Sequence, residues 1–161
     1  MFINREMITE QEFNRYSIAT FDFEKAAEFA NEAQQHSPNS LAYEALVFVA
    51  VVCYYRPFSP NEKNKNAKAA SGLKLEEFSP LTQEEQAIHS KCEELRNQAL
   101  AHSEWHRNPT GLDSNGIISS RPFSLVSAGL DFLSLSNLAQ RLAIECHYMR
   151  SNYIYSTCDN N

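Results

Sequence analysis

Arginine, asparagine and histidine fall within seven residues of one another at Arg96, Asn97 and His102, in the run Arg96-Asn97-Gln98-Ala99-Leu100-Ala101-His102. Side chains of these types can act on a phosphodiester. An imidazole titrating near pH ~6.5 takes or returns a proton at neutral pH. A guanidinium fork donates to two phosphate oxygens at once. Other chemistries find less in the chain. His102 and His106 have the i,i+4 spacing of helical zinc sites, but the glutamate of an HExxH pattern is misplaced and no third ligand stands nearby. No metal and no cofactor are therefore expected. There is no glycine-rich phosphate loop and no GxSxG elbow, and the serines near His147 form no recognisable triad.

The element that must carry these residues is a helix. Thr82 and Glu85 make a capping box behind Pro80. Ile88, Cys92, Leu95, Ala99 and His102 then recur at steps of three or four, the stripe of one helical face. The pattern predicts one amphipathic helix over Glu84–Arg107, ended by Pro109 and Gly111. On an ideal α-helix the six-residue step from Arg96 to His102 is about 120° of rotation and about 9 Å of rise, so the two do not stack. His89, seven residues before Arg96, shares its face more closely. Taken alone, Arg96 reads as a solvated or interface arginine and His102 as a satisfied histidine near a helix end.

The stretch resembles the motif of the HEPN superfamily, all-helical domains of prokaryotic defence, toxin–antitoxin and RNA-processing systems. In that motif an arginine and a polar residue precede a histidine after a short spacer, here Asn97 to Ala101, and the following Ser103 fits the RN-x-x-x-AHS form of many members. The likeness is sharp over roughly 25 residues and otherwise rests on the helical layout. It implies a metal-independent endoribonuclease whose site forms where two protomers meet, with His102 as base, Arg96 as phosphate clamp and Asn97 orienting the histidine or binding the ribose. It also implies a homodimer, RNA as substrate, and an antitoxin or regulatory protein as a further partner. Some members carry a tyrosine two residues after the histidine, modified by a partner nucleotidyltransferase. Here that residue is Glu104, and no such regulation is expected.

The rest of the chain reads as scaffold. Its 161 residues are expected to form one domain, residues 1–161, and the 43% apolar content argues against disorder. Thr9 and Glu12 cap a long first helix, and Ser37 to Ser40 break the chain and cap a second, Leu41 to Tyr55, apolar on nearly every side and expected to be the central one. Asn115-Gly116 is a hairpin signal, with a small β-hairpin expected near 111–119. A last helix is expected from Ala128 to Tyr153. The fold class is all-α, an antiparallel bundle of four to five helices.

Cys53, Cys92, Cys146 and Cys158 show no CxxC spacing and read as buried thiols of a reducing compartment. No basic leader with an apolar run opens the sequence, and the apolar run Ala45–Tyr55 falls short of the ~20 residues that cross a bilayer. A cytoplasmic location without membrane contact is expected. The net charge of −6 disfavours general DNA binding. Yet Arg56–Lys74 holds five basic residues against Glu62 alone, a balance of +4 that leaves −10 on the remainder. By itself the segment reads as a solvated connector; the family resemblance implies that it lies near the mouth of the site, which makes Arg56, Lys63, Lys65 and Lys68 candidate phosphate contacts. Two other functions fit: a non-catalytic helical dimerisation or interaction module, or a protein that binds RNA through this segment without cutting it.

Overall fold

The computed structural model describes residues 10–59, 72–100, 110–112, 118–120 and 129–158. Helix α1 (Glu10–Ala33) opens with Glu10 and Glu12 in its first turn, where carboxylates complement the helix dipole. Its inward face is built from small residues: Ala19, Ala26, Ala27, Ala30 and Ala33 are buried around Phe23. A helix face of alanines lets a neighbour approach closely, and α4 (Phe132–Cys158) does. The Ser136 hydroxyl donates to the Ala27 carbonyl at 3.3 Å, a contact that only closely packed helices permit. Leu135, Leu138, Ala139, Leu142, Ala143 and Cys146 supply the α4 side of the core. Ala27 meets Ser136 while Glu24 shares a groove with Gln140 and His147, so the two helices run antiparallel.

Helix α2 (Leu41–Tyr55) starts where Ser40 caps it, its Oγ accepting from the Tyr43 N–H at 3.1 Å. Tyr43, Val47, Ala50, Val51 and Tyr54 form its buried face, and the helix packs on α1. The expectation that α2 would be the central helix is corrected. Helix α1 touches both α2 and α4, and α2 leaves Leu41 83% and Phe48 42% exposed. An all-apolar sequence does not require burial on every side, because position in the bundle is decided by which face finds a partner. The apolar stretch is also longer than the run read from sequence. Leu41–Phe58 reaches membrane-spanning length and hydropathy by composition alone, with 33% of its residues buried here.

Helix α3 (Gln83–Glu94) begins at the capping box read from the sequence: Glu85 N–H donates to Thr82 Oγ1 at 3.2 Å and Thr82 N–H to Glu85 Oε2 at 2.8 Å. Arg141 of α4 then grips Glu85 with both prongs, at 2.8 and 3.1 Å, and reaches Glu145 at 2.7 Å. Burial alone would raise the Glu85 carboxyl. The Thr82 N–H and the Arg141 guanidinium outweigh it and hold the group below its ordinary range.

The single α-helix expected over Glu84–Arg107 is corrected too. The α-helical ladder stops at Glu94, and Leu95–Leu100 is a π-helical turn. Strands β1 (Thr110–Leu112) and β2 (Ile118–Ser120) pair antiparallel, Gly111 opposite Ser119, at the place the Asn-Gly signal indicated. The architecture among the described residues is an all-α bundle of four helices with this minor hairpin. Truncating a core leucine should be costly. Leu138→Ala, at a position 1% exposed, is expected to lose about 3 kcal/mol, read as a lowered urea midpoint at unchanged slope.

Candidate functional site

The site is where the end of α2 meets the end of α3. Tyr54 and Tyr55 close α2, and Arg56–Phe58 continues it as a 3₁₀ turn with Pro57 at its start. Tyr54 is fully buried and Tyr55 half-buried, so the two hydroxyls work in different surroundings. The Tyr54 hydroxyl and His89 Nδ1 share a hydrogen bond at 3.0 Å. Phe58 stands edge-on to the His89 ring at 4.8 Å, and Tyr55 is tilted against it at 5.7 Å. This aromatic enclosure lowers the His89 pKa by desolvation, with the Glu93 charge pulling partly the other way. His89 is thus kept neutral and buried, a core histidine that locks α3 to α2.

One helical turn on, the Tyr55 hydroxyl donates to Glu93 Oε1 at 2.6 Å. Burial first, and then the Glu93 hydrogen bond and charge, push the Tyr55 phenol up to about 12, while the positive charge of Arg96 opposes them. The phenol therefore stays protonated and donating, and Arg96 is near enough to be felt. Leu95, which follows the last residue of α3, is fully buried, and its N–H is shared between the Cys92 and Lys91 carbonyls as the α ladder ends. From here the chain widens into the π turn that carries Arg96 and Asn97. Such turns are rare and concentrate at functional sites. Because each π bond closes from i to i+5, the 120° offset computed for an α-helix does not describe this segment.

On the turn both side chains are partly exposed, and Arg96 Nη1 donates to Asn97 Oδ1 at 2.8 Å. Neighbours in sequence diverge on a regular helix, so the arginine must fold across to make this contact. The structure therefore brings Arg96 and Asn97 together, with Asn97 holding the guanidinium. His102, Lys63, Lys65 and Lys68 lie outside the described residues.

Arg56 is placed differently from a free phosphate contact. Its Nε donates to Asp22 Oδ2 at 2.7 Å and its Nη2 to Asp22 Oδ1, a two-pronged pair. Asp22 is 1% exposed and Arg56 56%, so the arginine covers a carboxylate inside the bundle. The hydrogen bond to Asp22 raises the Arg56 pKa, with burial opposing. The two ends of the lysine-bearing connector are pinned beside this pair. Leu73 N–H donates to the Pro57 carbonyl at 2.9 Å, and a Cβ at Gly72 would collide with the Phe58 carbonyl oxygen. Among the described residues no group of histidine, cysteine or acidic side chains could hold a metal.

Two contacts of the site went unread in the sequence, Asp22 with Arg56 and Tyr55 with Glu93. Asp22 had a visible signal, a carboxylate on the same helical stripe as Ala19 and Ala26. Tyr55 and Glu93 had none, since 38 residues separate them and either alone is an ordinary helix residue.

Removing Arg56 should leave Asp22 buried and unpaired. Arg56→Ala is expected to cost about 2 kcal/mol in urea unfolding, below the value for a fully enclosed pair because the arginine faces solvent. His89 generates a pH dependence. Its folded pKa lies below that of the unfolded chain, so the unfolded state takes up the proton first as pH falls. The contribution is whole above about pH 6.5 and is lost on descending toward the folded pKa. The urea midpoint should fall between pH 7 and pH 5 in the wild type, and fall less in His89→Gln.

Comparison with protein-family models, with curated proteins and with solved structures finds no match to this chain.

Proposed function

We propose that the protein is a HEPN-like, metal-independent endoribonuclease whose site is completed by a second copy of the chain. The observation that carries this reading is the Arg96–Asn97 pair, joined by a 2.8 Å hydrogen bond on a partly exposed π turn at the end of α3. An arginine held by its own neighbour is pre-organised, so less ordering is needed when a phosphate binds. In the reaction His102 removes the ribose 2′-hydroxyl proton and the 2′-oxygen attacks phosphorus. The bond to the 5′-oxygen breaks, and that oxygen takes up a proton. Products are a 2′,3′-cyclic phosphate and a 5′-hydroxyl. Arg96 stabilises the charge that grows on the phosphoryl oxygens. Assembly between two copies brings a second arginine–histidine set to the same phosphate. A setting in phage defence or a toxin–antitoxin pair, with an antitoxin as partner, follows from the family resemblance.

A second reading is favoured by a different observation. Leu41, Ile18, Phe21, Leu133, Ile144 and Tyr148 are large apolar residues left exposed on three helices, as befits an interaction module.

Purified protein should cleave a mixed RNA pool in EDTA and leave cyclic-phosphate ends. Arg96→Ala and His102→Ala should each lower the rate about a hundredfold or more. A wild-type dimer that does not cut RNA, or a His102→Ala variant that cuts it equally well, would overturn the reading and favour the interaction module.

A further inference from the structure

Glu93 sits in the last α-helical turn of α3, just before the ladder widens into the π turn at Leu95. Among the described residues Glu93 has no ion pair with a cation of its own turn, whereas Lys91 pairs with Glu94 at 3.2 Å. Glu93 accepts instead from the Tyr55 hydroxyl, across the α2–α3 junction, at 2.6 Å. The Tyr55 ring is backed on one side by Phe58 at 5.9 Å and His89 at 5.7 Å. It stands at the end of α2, and the carboxylate it grips lies two residues before the π turn and three before Arg96.

From this geometry we infer that Tyr55 and Glu93 form a clamp that fixes the start of the π turn and so aims Arg96 at the scissile phosphate. Tyr55 is a positioning residue, acting through Glu93 and the backbone of Leu95. The inference rests on the ribonuclease reading for its consequence in catalysis, but the clamp itself is a property of the fold. Removing the clamp is therefore expected to lower turnover more than binding, because the arginine remains present and charged while its direction loosens. A displacement of about 1 Å is enough to cost roughly a hundredfold in rate.

The test uses the full chain and three variants, Tyr55→Phe, Glu93→Ala and Glu93→Gln, with amide hydrogen exchange and RNA cleavage in EDTA as two separate readouts. Tyr55→Phe removes one oxygen and keeps the ring. Its amides at 94–97 should exchange about tenfold faster than those of the wild type while the α1 core stays protected. In cleavage, kcat should drop at least about tenfold with KM changed less, and the Tyr55→Phe/Glu93→Ala double variant should be no worse than either single one. Glu93→Gln, which still offers an acceptor oxygen, should retain more activity than Glu93→Ala. Unchanged exchange at 94–97 in Tyr55→Phe would overturn the clamp, as would additive losses in the double variant. The exchange arm decides the clamp whether or not the wild type cuts RNA. Absence of cleavage by every form bears on the proposed function alone.

Discussion

The close approach of α1 and α4 is the constraint on which the rest of the structure depends. Ala19, Ala26, Ala27, Ala30 and Ala33 remove side-chain bulk from the buried side of α1, which leaves room for the larger Leu135, Leu138 and Leu142 of α4 in the core. With that pair set, α2 has one place to go, against the other side of α1 and its Phe23. The Phe23 ring lies 5.9 Å from Tyr54 and 5.7 Å from Phe58, so the end of α2 is located by the middle of α1. A site built from the end of α2 inherits its position from the alanine face.

Helix α3 is attached by another kind of force. It packs on α2 and α4 less extensively than α1 does, and polar links do much of the holding. Arg141 grips its first turn through Glu85, His89 plugs its middle into an aromatic enclosure, and Tyr55 takes hold of its last turn through Glu93. Directional bonds of this kind fix orientation more sharply than apolar contact does. A helix that presents a reacting group benefits from that difference, since rate depends on angle and distance while stability depends chiefly on buried area.

Charge is distributed to match. The chain is acidic overall, yet its described cations near the site are engaged by specific acceptors. Arg56 covers Asp22, and Arg96 leans on Asn97. An amide acceptor leaves the Arg96 charge undiminished, whereas Asp22 neutralises Arg56. Of the two arginines, the one bound to a neutral partner is the better placed to meet an anion.

Much of the bundle was legible in the sequence because it is written in local rules. Ser40 and Thr82 announce helix starts through the spare hydrogen-bonding capacity of their side chains, and α2 has the bounds its cap and apolar run indicate. Asn115-Gly116 marked the hairpin for the same reason, a backbone preference carried by the residues themselves. Arg96 and Asn97 stood out by type and spacing. What periodicity could not reveal is which apolar face would find a partner, so Leu41 and Phe48 are exposed where burial was expected. Nor could it show that the ladder would change from α to π at Leu95, since helix widening depends on what holds the turn from outside. The Asp22–Arg56 pair and the Tyr55–Glu93 contact exist only once helices are assembled, 34 and 38 residues apart in the chain. Sequence determined which segments would be helices and which residues carry reactive groups. Tertiary structure alone decided which of those groups meet, because the contacts that aim them join segments with no local interaction of their own.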